Sequence, residues 1–168
     1  MKGLAAIPIL FVAFTTVNSV EIADSHQSSL AFYVVHEKTV EGGRFIDTKQ
    51  FPKLGFIGQR PDLALTEVEA VTGARTGTIV MDKGKAVGLS ENHENALRVT
   101  LRPEDGRKFE ELTRKNIGSR IVLMLGETPL IAPFVMEATT SPDIQITFPT
   151  AHDMQKVEQE LRRLVKKP

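Results

Sequence analysis

The sequence predicts an α+β fold, a largely antiparallel sheet with helices packed on one face. Three observations carry that reading. Short apolar runs rich in β-branched residues are bounded by glycine, proline and Asp clusters, as strands joined by turns are. Two later segments repeat apolar residues at helical spacing behind start signals. The order of elements is strand, irregular segment, short helix, strands, helix, hairpin, strand, helix, which describes strands joined by turns with helices laid across them.

Leu30 to Val35 is an apolar, β-prone run and reads as the first strand. Residues 40–62 carry Gly42-Gly43, Pro52, Gly55, Gly58 and Pro61, and read as a long irregular excursion. Thr66 with Glu69 forms a capping-box pattern, so a short helix is expected through Val68 and Val71, stopping at Gly73. Thr78 to Met81 reads as a strand and Asp82 to Lys85 as a turn. From Ala96 to Leu101, Leu97, Val99 and Leu101 alternate with Arg98 and Thr100, the period of a strand with one buried face.

Pro103 suits a helix start, where its missing N–H costs nothing, and the helix should run through Phe109 and Leu112 to Asn116. Ile121 to Leu125 is an unbroken apolar run, hence a buried strand. Gly126 to Pro129 turns the chain and Leu130 to Val135 returns. Pro133 in that return favours a sheet edge or a bulge, because proline cannot donate to a ladder. Ile144, Ile146 and Phe148 alternate with Gln145 and Thr147 as a last strand. Thr150 with Asp153 caps a last helix whose apolar stripe is Met154, Val157, Leu161 and Leu164.

Composition excludes several function classes. The 168 residues include no cysteine, which rules out disulfides, thiolate metal sites, iron–sulfur clusters and cysteine nucleophiles. Twenty-one basic residues balance 21 acidic ones, so neither nucleic acid nor an anionic membrane is expected as a partner. Met1-Lys2-Gly3, the apolar run Leu4 to Phe14 and Val17-Asn18-Ser19 have the layout of a secretory signal peptide over residues 1–19. The run is shorter than the roughly 20 residues that span a bilayer as a helix. An extension over 20–29 and a single domain over 30–168 are expected to follow, as a stand-alone exported protein without an integral membrane segment. The alternative is that the first segment stays uncleaved as an anchor.

No pattern of residues makes a case for catalysis. His26, His36, His93 and His152 lack a second ligand at metal spacing, and His93 falls in a polar run, 90–95, that reads as a solvated loop. Gly84-Lys85 lacks the glycine five positions before Gly84, where Ile79 stands, and the Ser or Thr after Lys85 that a phosphate loop requires. No G-x-S-x-G nucleophile elbow occurs. Glu110-Glu111 reads as a solvated helix face, with Arg114 one turn beyond Glu110. The expectation is therefore no catalytic residues, no cofactor and no metal.

The run from Lys108 to Pro133, KFEELTRKNIGSRIVLMLGETPLIAP, resembles the head of the first periplasmic domain of the SecD protein-export subunit. There a helix ending T-R-x-N-x-G-K-R leads to an apolar strand, a turn and a strand ending A-P. The matching positions are Phe109, Thr113, Arg114, Asn116, Gly118, Arg120, Leu125, Ala132 and Pro133, with Glu137 and Gln145-Ile146 downstream. Leu65-Thr66 with Ala74-Arg75 resembles the family's L-T…A-R segment, and Leu30 to Glu37 its first strand. The likeness covers about residues 30–165. Gly126-Glu127 stands where the family has Asp-Gly, and Ser141-Pro142 where it has Gly-Gly.

The resemblance implies a SecD-head-like fold and a non-enzymatic periplasmic binding module, with exported or unfolded polypeptide as the partner. The alternative function is an envelope interaction or inhibitor protein that reuses the fold. The return of the hairpin is the expected binding surface. Leu130, Ile131, Phe134 and Val135 make it apolar on both sides, and only one side can pack on its own sheet. Cover by a helix or by the 40–62 segment is the competing expectation.

Overall fold

The computed structural model describes residues 29–82 and 85–166, of which 75–82 and 85–94 by backbone alone. The signal segment and the extension expected over 1–29 fall, apart from Ser29, outside the described residues. The elements in chain order are β1 (Leu30–Val35), β2 (Arg44–Ile46), β3 (Gly55–Ile57), β4 (Leu63–Leu65), β5 (Ala70–Asp82), β6 (Lys85–Thr100), α1 (Pro103–Lys115), β7 (Arg120–Leu125), β8 (Thr128–Ile131), β9 (Asp143–Phe148) and α2 (Ala151–Arg163).

The fold is α+β and antiparallel, as expected, but the strands divide among three sheets: β4-β1-β7-β8, β5-β6-β9 and the hairpin β2-β3. The first two face each other across the main core. Leu30, Phe32 and Val34 of β1 join Ile121, Leu123 and Leu125 of β7 in that core, with Leu97 and Val99 of β6 and Ile144 and Ile146 of β9. Phe109 of α1 and Val157 and Leu161 of α2 close it. Alternate residues of β7, Val122 and Met124, enter a second core with Ile46, Phe51 and Ile57 of the excursion. Both faces of β7 are thus covered, which is why its sequence is continuously apolar.

The helix ends follow their local signals. Pro103 opens α1, and Asn116 caps its C-terminus. Thr150 Oγ1 accepts from the Asp153 backbone N–H at 3.1 Å and donates to Asp153 Oδ2 at 2.6 Å, tying off the first turn of α2.

Three expectations are corrected. The helix predicted from Thr66 and Glu69 does not form. Val68 bridges Val165, and Ala70 to Ala74 pair with Thr100 to Ala96 as the start of β5. A capping pattern is local, whereas Val68 and Val71 are β-branched and find buried partners across a sheet, so packing overrides it. The polar run 90–95, read as a loop, lies within β6. The excursion 40–62 also contains a short hairpin, held down by Ile46 and Ile57 on the back of the first sheet.

Candidate functional site

The hairpin from β7 to β8 is a two-residue loop, with Gly126 at φ 56° in the first central position. β8 lies at the sheet edge. Met124 pairs with Pro129 and Leu123 with Ile131, so Leu130 is an extra residue, a β-bulge. The bulge explains the burial pattern that follows. Leu130 lies in the main core and Ile131 packs against it, while Ala132 turns to the second core. Past the bulge the chain keeps pairing with the segment before β7. Ile121 N–H donates to Pro133 O at 3.1 Å, Val135 N–H to Ser119 O and Gly118 N–H to Val135 O, both at 2.8 Å.

This return segment forms one wall of a groove of about 360 Å³. Phe32, Phe109, Ile121 and Leu123 make the apolar floor. Ile131, Phe134, Val135 and Met136 form the near wall, and Asp143, Ile144, Gln145 and Thr147 of β9 the far wall. The Phe32 and Phe109 rings stand 4.7 Å apart between centroids, tilted by 35°. β9 is the edge of its sheet, paired to β6 along one side only. The groove therefore runs beside an edge strand.

The four residues expected to bind divide. Leu130 is 2% exposed and belongs to the core, outside the groove, because the bulge turns it inward. Val135 is buried too, although it touches the groove. Ile131 is half-buried on the near wall, and Phe134 is 46% exposed. The competing cover is only partial. From the 40–62 excursion, Gln50 Nε2 donates to Leu130 O at 3.1 Å, but its apolar residues pack on the opposite face. Sequence reasoning missed Met136, 64% exposed, and the far wall on β9. An apolar residue next to Val135 was the one local signal for Met136, whereas nothing local reveals that β9 lies across the groove from the return segment.

Two anchors fix the groove. Thr113 is buried in α1, where its Oγ1 donates to Phe109 O at 3.0 Å and accepts from Thr139 N–H at 2.9 Å, tethering the segment between Met136 and β9. At the other end of α1, Asp105 is 2% exposed. Its Oδ2 accepts from Arg102 Nε and Nη2 at 3.0 and 2.9 Å, and its Oδ1 from Lys108 Nζ at 3.0 Å. Arg102 Nη1 reaches Glu67 Oε2 at 3.0 Å, linking the helix start to the connector before β5. Burial pushes the Asp105 carboxyl up, but the hydrogen bonds from Lys108 and Arg102 and their charges outweigh it and hold the group below its ordinary range. The hydrogen bond to Asp105 likewise raises the Arg102 guanidinium.

Among the described residues, no group of three His, Asp or Glu side chains is placed to hold a metal ion, and no helix is long and apolar enough to cross a membrane. The geometry is suited to holding an extended chain, through apolar contacts on the floor and strand pairing at β9.

Comparison with known proteins bears on the fold. No protein-family model and no curated protein matches the sequence. Solved structures resemble the fold, two of SecDF among them. One is of SecDF, described as a membrane component that enhances protein export, with 21% identity, a TM-score of 0.57 and 81% of this chain covered. The fold is SecD-head-like. The second is SecDF in a super-membrane-facing form, with 21% identity, a TM-score of 0.53 and 80% coverage. The chain spans 62% of the first SecDF structure and 18% of the second. The SecD-like architecture expected from the Phe109 to Pro133 run is thus present, with α1, β7 and β8 in the predicted order.

Proposed function

We propose that this domain is a non-enzymatic periplasmic binding module that holds exported polypeptide in an extended conformation. The observation that carries the reading is the apolar groove beside the edge strand β9. Unfolded chains expose apolar side chains together with unpaired backbone groups. A surface offering an apolar floor and an open strand edge satisfies both, and main-chain pairing requires no particular sequence. The likeness to SecDF, whose structure is described as that of a component that enhances protein export, supports the same partner class. The secretory layout of residues 1–19 supports the compartment.

The test is capture of a reduced, unfolded polypeptide by the mature domain, read by fluorescence anisotropy. Phe134 is 46% exposed, so Phe134→Asp should leave the melting temperature within about 2 °C, as surface changes do. It should weaken capture at least tenfold by placing a charge against the apolar side chain held in the groove. Undiminished capture by a folded Phe134→Asp domain rules out the groove as the binding surface.

A further inference from the structure

If the groove holds an extended polypeptide, as proposed above, a neighbouring cavity bears on which polypeptides it prefers. Phe134 lines both the groove and this second cavity. The second cavity lies between the end of β1 with the segment after it, residues 35–40, and the segment leading into β7, residues 118–120. Its character is different. His36, Lys38 and Arg120 line it together with a single carboxylate, Glu37, and all four are exposed.

Arg120 donates Nη1 to Ala132 O at 3.1 Å, so its guanidinium is tethered to the strand end while further N–H groups stay available. Among the described residues, neither Lys38 nor Arg120 has an ion-pair partner, although most other ion pairs lie along the helices and their caps. Phe134 bridges Arg120 directly across the backbone. A chain that leaves the groove over Phe134 therefore arrives beside unpaired positive charge. Residues two apart on an extended chain are separated by about 6.6 Å, so an apolar side chain in the groove and a charged one in the second cavity fit a single short segment.

We propose that the bound segment carries an acidic side chain within a few residues of its apolar anchor, and that Lys38 and Arg120 receive it. The basic cavity then acts as a specificity element, favouring acidic-flanked apolar segments and rejecting basic-flanked ones through like-charge repulsion.

The experiment uses three fluorescein-labelled ten-residue peptides with one apolar, β-prone centre and flanks of Asp, Asn or Lys. Anisotropy titration with the mature domain should show the Asp peptide binding roughly fivefold tighter than the Asn peptide, the scale of exposed ion pairs, with the Lys peptide weakest. The difference should shrink in 0.5 M NaCl, where screening acts over about 4 Å. Lys38→Glu, a change at an exposed position, should narrow or reverse the order. Equal affinity for all three peptides, with binding lost in Phe134→Asp, overturns the charge selection and leaves the groove reading standing. No binding by any of the three overturns both.

Discussion

Replacing Asp105 by Asn tests whether a buried carboxylate sets the position of α1. The side chain keeps its shape and loses its charge. In the native protein it accepts three charge-assisted hydrogen bonds, two from Arg102 and one from Lys108. Such bonds contribute roughly 1.5–3 kcal/mol where both partners are buried. Here the cations are wetter. The Lys108 side chain is 60% exposed and rehydrates freely, so its bond contributes little. The Arg102 side chain is 23% exposed and keeps Glu67 at 3.0 Å and Glu104 at 3.3 Å after the change. The asparagine amide, however, turns one N–H₂ toward a cation inside the fold. The net cost at pH 7 should be about 1–3 kcal/mol, or roughly 3–10 °C in melting temperature for a domain of this size.

The pH dependence fixes the sign. The folded carboxyl lies below its ordinary value of 3.8, so its contribution is fully present above that value and is lost as pH falls through the folded value. Urea unfolding of wild type and Asp105→Asn should therefore differ at pH 7, with the gap narrowing as pH is lowered below 3.8. Equal midpoints at pH 7, or a gap that does not narrow in acid, would refute the assignment.

Other outcomes follow from packing and sequence. Phe109→Ala should cost about 3–5 kcal/mol in urea unfolding, because the ring is buried against Phe32, and Phe109→Leu should recover most of the loss; a change below 1 kcal/mol would place the ring outside the core. Gly55 has φ 135°, and a Cβ there would lie 2.7 Å from Val35 Cγ1 and 2.8 Å from the His36 carbonyl oxygen. Gly55→Ala should thus lower stability by about 1–3 kcal/mol, measured by the same assay, and an unchanged midpoint would show that the β2-β3 hairpin shifts freely. N-terminal sequencing of the exported protein should begin at Val20, whereas a full-length chain that resists carbonate extraction would show that the first segment is kept as an anchor.

What the sequence determined by itself was local. Pro103 and the Thr150–Asp153 pair specify helix starts, because capping satisfies backbone groups within one turn. The apolar run Ile121 to Leu125 marks a strand buried on both faces, and the prolines of the return mark an edge and a bulge, since each follows from a residue's own bonding capacity. The ordered matches from Phe109 to Pro133 pointed to the SecD-head-like architecture that the fold shares with SecDF. Tertiary structure decided the rest. Thr66 to Gly73 carried a helix signal worth a fraction of the sheet pairing and burial that Val68 and Val71 gain in place of it. Leu130 and Phe134 are both apolar residues of one short segment, yet the bulge sends one into the core and leaves the other exposed. The groove itself joins Phe32, Phe109, Phe134 and Ile144, residues more than 100 positions apart at the extremes. No local pattern encodes it, because its shape depends on how two sheets and a helix pack rather than on the period of any one of them.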